Sequence, residues 1–153
     1  MVNEAQLQEF AKFAGRLTDA GSTIIRDAAR EPFQMEIKGD GSPVTSVDKA
    51  VEDRIRGLIA DEYPDHGILG EERGATASDN EFVWVIDPID GTLPFLSGIP
   101  VFGILLALVH NREPVLGVIE GKRPPEDSRR RTFSLTGAAL LVKLGHYKFW
   151  NKF

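Results

Sequence analysis

Apolar positions in the first part of the chain recur at helical spacing. Leu7, Phe10, Ala14, Leu17, Gly21, Ile24 and Ala28 lie three or four residues apart, which stacks them on one face of a helix over residues 4–29. Asn3, with Gln6 three positions on, has the form of a capping box at its start, and Pro32 lies beyond its end. The period then changes. Phe33, Met35 and Ile37 alternate with Gln34, Glu36 and Lys38, the pattern of a half-buried strand. Gly39 to Pro43 reads as a loop. Thr45 or Ser46 can cap a second helix over residues 46–62, whose apolar side carries Val47, Val51, Ile55, Leu58 and Ile59.

Beyond Gly67 the pattern turns to strands. Ile68-Leu69 leads through Gly70 to Glu71-Glu72, and residues 73–81 have the composition of a polar loop. Phe82-Val83-Trp84-Val85-Ile86 is continuously apolar and rich in β-branched and aromatic residues, so a strand covered on both faces is expected. Val101–His110 repeats the strand pattern. Asn111-Arg112-Glu113-Pro114 supplies a turn, and Val115–Ile119 returns as hairpin partner. The order predicts an α/β layered sandwich, with two helices packed on a mostly antiparallel sheet.

Composition narrows the chemistry. A chain of 153 residues with 42% hydrophobic positions suits one domain with a true core. It has no cysteine, so disulfides, thiolate metal sites and cysteine nucleophiles are out. His66, His110 and His146 are scattered without ligand spacing. No apolar run approaches the ~20 residues of a membrane span, and the N-terminus lacks the pattern of a secretion signal. A cytoplasmic protein without a membrane partner is the expectation.

Interest concentrates where the apolar strand runs into Asp87-Pro88-Ile89-Asp90-Gly91-Thr92. In an unbroken strand, residues three apart point to opposite faces, so Asp87 and Asp90 could not share a ligand. Pro88 is expected to end ladder pairing and let the chain turn so that the carboxylates converge. Gly91 allows an anion close to its backbone. A helical turn starting there would aim the Gly91 and Thr92 N–H groups at that anion, beside the Thr92 hydroxyl. The same residues also make an ordinary turn with no chemistry. Two more acidic spots bear on the choice: Glu71-Glu72 follows another short strand, and Asp48 lies in the first turn of the second helix, where alone it would only favour the helix N-terminus. Carboxylates about 5 Å apart repel by about 3 kcal/mol at an effective dielectric of about 20. Convergence of Asp48, Glu71, Asp87 and Asp90 would therefore call for a divalent cation, and oxygen-only ligands favour magnesium.

Ile68-Leu69-Gly70-Glu71-Glu72 and Trp84-Val85-Ile86-Asp87-Pro88-Ile89-Asp90-Gly91-Thr92, preceded by Pro43-Val44-Thr45-Ser46-Val47-Asp48, resemble the signature blocks of the inositol monophosphatase superfamily of magnesium-dependent, lithium-sensitive phosphatases. The continuation PFLSGIPVFG, residues 94–103, looks most like its bacterial histidinol-phosphate phosphatase-like branch. The resemblance implies the N-terminal half of that family's fold. It also implies magnesium-dependent hydrolysis of a small phosphate monoester, of the histidinol phosphate or inositol phosphate type, by metal-activated water. Carried over by position, it implies that Glu71, Asp87 and the Ile89 carbonyl hold one Mg2+, while Asp87 and Asp90 hold part of a second. Glu71, Asp48 and Thr92 would serve catalysis, with Thr92 oriented by Asp48. Gly91 and Thr92 would bind the phosphate, Glu72 would stand behind the ligands, and Lys38 would sit near the phosphate. Leu93 stands where relatives usually carry a polar or basic residue. Relatives are often dimers, so a homodimer is one implied assembly.

Charge divides the chain. Its net −5 is the sum of −11 over residues 1–120 and +6 over residues 121–153. The resemblance covers about residues 5–120, giving an expected domain over 1–120 and a basic tail over 121–153 that does not match the family. The family's second half, source of a further aspartate ligand, has no counterpart in that tail. An incomplete relative that binds magnesium and phosphate without efficient turnover is therefore the rival reading. The tail carries Arg129-Arg130-Arg131, Lys143, Lys148 and Lys152 with Tyr147, Phe149 and Trp150 among them, which admits a polyanion-binding module. No RNA- or DNA-binding motif accompanies them, so nucleic acid is not an expected partner. The plainer reading is an appendage covering a sheet edge, with Thr136–Leu144 as its strand or helix.

Overall fold

The first helix begins where its sequence says it should. A computed structural model describes residues 2–29, 32–99, 101–121 and 129–134. Helix α1 (Glu4–Ala28) opens on the reciprocal cap: the Gln6 N–H donates to Asn3 Oδ1 at 2.9 Å and the Asn3 N–H to Gln6 Oε1 at 3.0 Å. Its buried stripe includes Phe10, Phe13, Ala14, Leu17, Gly21 and Ile25. A short ribbon follows, β1 (Met35–Ile37) paired antiparallel with β2 (Pro43–Thr45). Helix α2 (Ser46–Glu62) is capped by Thr45, whose Oγ1 accepts from the N–H groups of Val47 and Asp48 at 3.2 and 3.3 Å.

Among the described residues, six strands build the sheet: β3 (Gly67–Gly70), β4 (Gly74–Thr76), β5 (Phe82–Asp90), β6 (Gly103–His110), β7 (Glu113–Gly121) and β8 (Arg129–Ser134). Their spatial order is β4-β3-β5-β6-β7-β8. All neighbours are antiparallel except β3 and β5, so the sheet is mostly antiparallel, as the sequence predicts. A short helix, α3 (Thr92–Leu96), follows β5. The β6–β7 hairpin turns on Asn111 and Arg112, at φ 50° and 68°, which is the two-residue type I′ geometry that suits the strands' twist.

Both sheet faces are apolar, as the continuous run on β5 requires. Trp84, Ile86, Ile104, Leu106 and Leu108 meet Leu17, Val51, Ile55 and Ile59 of the two helices. Leu69, Val83, Val85, Ala107 and Val109 form a second buried cluster, in the opposite phase of the strands. A Cβ on Gly21 would stand 2.6 Å from Ile104 Cδ1 and 3.0 Å from Val51 Cγ1. The missing side chain therefore sets how closely α1 approaches α2 and β6.

Four local expectations are corrected. The alternating segment at Met35–Ile37 is a strand but not half-buried. Met35 is 53% and Ile37 62% exposed, because β1 pairs only with β2 and lies outside the main sheet; Phe33 does pack, stacked on Phe95 at 5.3 Å. The supposed polar loop at 73–81 contains β4, and Pro43, read as loop, begins β2. Ladder pairing needs only backbone groups, so polar residues edge a sheet without leaving an apolar trace. Finally, Pro88 does not end β5. The strand continues to Asp90 through a register shift.

In the tail, β8 pairs antiparallel with β7 from Leu116↔Ser134 to Gly121↔Arg129. Thr136–Leu144, and the lysines and aromatics beyond, lie outside the described residues. Among the described residues, no helix is long and apolar enough to cross a membrane.

Candidate metal and phosphate site

The one parallel pair assembles the acidic cluster. Parallel strands leave the sheet at the same rim, and the register Gly70↔Ile86 sets the next residues, Glu71 and Asp87, side by side. The Glu71 N–H donates to the Ile86 carbonyl at 3.1 Å. Asp87 pairs with Leu105 and Asp90 with Gly103. Three steps on β5 thus oppose two on β6. This is a β-bulge, and its one extra residue returns Asp87 and Asp90 to the same phase of the pleat. Asp87 and Asp90 are thus set on one face of the strand by a bulge rather than the expected turn.

Asp87 is 3% exposed, and among the described residues no backbone N–H, hydroxyl or cationic group donates to either of its carboxylate oxygens. Burial comes first, then the charge of Glu71 and a carboxyl–carboxylate hydrogen bond with it, then the charges of Asp90 and Asp48; together they raise its pKa far above the usual carboxylate range. Asp48 is equally buried, but it is satisfied on one side: Oδ2 accepts the Thr45 N–H at 2.8 Å and the Thr45 hydroxyl. Burial raises its pKa, and the Thr45 hydrogen bonds partly offset that. Its other oxygen, Oδ1, lies 3.4 Å from Thr92 Oγ1, which is also 3.1 Å from the Ile89 carbonyl. Asp90 is exposed at the end of β5.

Gly91 caps α3 at φ 90°, a conformation that side chains resist. A Cβ there would stand 2.8 Å from the Val101 carbonyl oxygen. Two independent constraints thus hold position 91 to glycine. Lys38 reaches in from the end of β1, with Nζ 2.6 Å from Glu72 Oε1 and 3.2 Å from Glu71 Oε1. Burial works to lower the Lys38 pKa, but the two glutamates outweigh it and hold the ammonium above its ordinary range. Burial raises the Glu72 pKa against the pull of Lys38. Leu93 points to solvent at 64% exposure.

Lys38 thus meets Glu71 and Glu72, Thr92 meets Asp48 and the Ile89 carbonyl, and Asp87 lies among the charges of Glu71, Asp90 and Asp48. Among the described residues, no three His, Cys, Asp or Glu side chains form a group able to hold a metal ion by themselves. Asp87 does lie within electrostatic reach of both Glu71 and Asp90, and the Ile89 carbonyl beside them accepts from Thr92 Oγ1. A buried carboxylate without an N–H, hydroxyl or cationic donor among like charges is a group that a cation satisfies, and the all-oxygen donors suit a hard ion such as magnesium. Sequence reading missed Glu52, fully buried on α2 with its carboxylate at the turn after β3. The available signal was its place four residues after Asp48, on the same helix face.

A model of the inositol monophosphatase family matches residues 6–138, which is most of the chain. The chain belongs to that family. It is 40% identical over 121 residues to the chloroplastic bifunctional phosphatase IMPL2 of Arabidopsis thaliana, covering 78% of this chain and 35% of that protein. It is 40% identical over 111 residues to a histidinol-phosphatase of Chlorobaculum parvum, covering 72% and 40% respectively. An inositol monophosphatase structure from Zymomonas mobilis superposes with a TM-score of 0.65 at 38% identity, covering 83% of this chain and 47% of that one. The inositol monophosphatase-like layered fold is thereby shared, and the chain spans less than half the length of each of these relatives.

Proposed function

We propose that this chain carries the magnesium- and phosphate-binding face of an inositol monophosphatase family hydrolase acting on a small phosphate monoester. The observation that carries the reading is the buried Asp87 carboxylate, which receives no N–H, hydroxyl or cationic donor among the described residues and faces the carboxylates of Glu71, Asp90 and Asp48. Glu71, Asp87 and the Ile89 carbonyl would hold one Mg2+, and Asp87 with Asp90 part of a second. When bound there, magnesium supplies Lewis-acid stabilisation of the phosphoryl oxygens and activates water.

The chain's own groups do the rest. Thr92 Oγ1 accepts a proton from the attacking water while passing its own to Asp48 Oδ1, 3.4 Å away. Burial raises the Asp48 pKa, which suits it to receive that proton. The Gly91 and Thr92 N–H groups, at the first turn of α3, orient the phosphate. Lys38 offsets the charge of Glu71 and Glu72 beside it. Relatives named histidinol-phosphatase and inositol-1-monophosphatase support histidinol phosphate and inositol phosphate as the first substrates to try.

Phosphate release from both substrates, with and without Mg2+, tests the proposal. Turnover that requires Mg2+, is inhibited by Li+ and is lost in Asp90→Asn is expected; turnover indifferent to chelation would overturn it. A second reading, capture of ion and phosphate with little turnover, is favoured by the lack of a three-carboxylate group among the described residues. It predicts Mg2+ binding by calorimetry without phosphate release.

A further inference from the structure

We propose that Glu52 is the positioning residue for the Glu71 carboxylate, an assignment that rests on the magnesium reading of the site. Glu52 is 0% exposed, yet each of its oxygens is engaged. Oε2 accepts the Glu72 N–H at 2.7 Å; Oε1 accepts the Arg73 N–H at 3.1 Å and Arg56 Nε–H at 2.8 Å. Arg56 extends the bracket, donating to the Gly74 carbonyl and, at 3.3 Å, to Thr76 Oγ1. The turn from β3 to β4 is thus fastened to α2 along its length.

A buried carboxylate is a poor choice if only packing is needed, since an apolar side chain fills space without a desolvation penalty. What the carboxylate adds is direction. It draws two successive N–H groups, those of residues 72 and 73, toward the helix. The residue before them, Glu71, is held on the other side by its own N–H on the Ile86 carbonyl. Its backbone is fixed from both sides, and its side chain is left to face Lys38 and Asp87. Space is reserved for this arrangement: a Cβ on Gly70 would stand 1.9 Å from Glu52 Oε1. Asp48 lies one helical turn earlier on the same rigid element, so α2 sets both the Thr92 partner and the Glu71 ligand. The exposed Arg73–Asp53 pair at 2.6 Å fastens the same turn from outside, where solvent weakens it.

The test uses the full chain and Mg2+ alone. Calorimetry gives the Mg2+ affinity, and amide hydrogen exchange without metal gives the protection of the Glu72 and Arg73 N–H groups. Glu52→Gln is expected to weaken Mg2+ binding by about 10–100-fold, the usual effect of losing a group that orients a ligand, and to speed exchange at both amides. Ile59→Val, a core change on the same helix, is expected to lower stability while leaving affinity and both amides unchanged. A purely structural Glu52 would lose protection at both amides, whose acceptor it is, yet leave the Mg2+ affinity unchanged as in Ile59→Val, and that result overturns the proposal. Should Glu52→Gln fail to fold, Gly70→Ala displaces the carboxylate without removing its charge, and unchanged Mg2+ affinity in that variant is equally fatal. Absence of Mg2+ binding by the unaltered chain removes the metal reading and this role with it. Equal binding by the unaltered chain and Glu52→Gln removes only the role.

Discussion

Replacing Gly91 by alanine weighs the geometry of the turn between β5 and α3 most directly, because a second glycine supplies the reference. Gly91 has φ 90° and Gly98 φ 69°. Gly98 follows the end of α3: its N–H donates to the Phe95 carbonyl at 3.1 Å and the Ile99 N–H to the Pro94 carbonyl at 2.9 Å, the Schellman arrangement. Among the described residues, nothing lies within 4 Å of a Cβ built there. Gly98→Ala therefore isolates the backbone penalty, about 1–2 kcal/mol for a side chain in the left-handed region. Gly91→Ala adds a collision at 2.8 Å with the Val101 carbonyl oxygen. That atom is backbone, so no rotamer change relieves it, and enforced overpacking adds about 1–3 kcal/mol. The expected losses are about 2–5 kcal/mol for Gly91→Ala and about 1–2 kcal/mol for Gly98→Ala. Urea unfolding followed by fluorescence of the buried Trp84, in a Trp150→Phe background, measures both. With a slope of about 1–3 kcal/mol/M, the two midpoints should differ by roughly 1 M. Coincident midpoints would refute the claim that close approach, beyond backbone conformation, holds position 91 to glycine.

Three further outcomes are expected. Arg112→Gly should stabilise by about 1 kcal/mol, since Arg112 sits at φ 68° in a type I′ turn; an unchanged urea midpoint would count against that assignment. His66 Nδ1 accepts the Trp84 indole N–H at 3.1 Å, and burial holds its pKa below the ordinary 6.5. The unfolded chain then protonates first, so this contribution is complete above that value and is lost as pH falls through the folded pKa. Unfolding free energies between about pH 7 and about pH 5 should fall more steeply in the natural chain than in His66→Gln, and parallel curves would exclude the effect. Mg2+ at a hundredfold excess over its Kd should raise unfolding stability by about 2.7 kcal/mol, read as a Tm increase of about 5–10 °C. Asp87→Asn should abolish that increase, and a metal-induced shift surviving in the variant would place the ion elsewhere.

What the sequence makes legible here is what neighbouring residues decide. The Asn3–Gln6 cap, the Thr45 cap and the apolar stripes of α1 and α2 are local, and each lies where its spacing puts it. The acidic positions are legible as residue types, but the β5 bulge that sets Asp87 and Asp90 in one phase of the pleat is not. A bulge depends on how β6 pairs with β5, and Pro88 alone carries no record of that partner. Met35 and Ile37 alternate as a buried strand would, but alternation shows what a sheet could cover, not whether one is there. Glu52 was the hardest to see. A glutamate on a helix reads as solvent-facing until the turn from Glu71 to Gly74 is known to close over it.

The parallel pairing of β3 with β5 carries a consequence for how such chains can vary. Both strands run toward the acidic rim, so the chain must travel back before starting β5. It does so through β4 and crosses at the far end of the sheet along residues 77–81. Insertions or deletions in that crossing fall a full strand length from the carboxylates. Evolution, or an engineer grafting a peptide tag there, can change the chain's length between these two strands without disturbing the spacing of Glu71 and Asp87 at the rim.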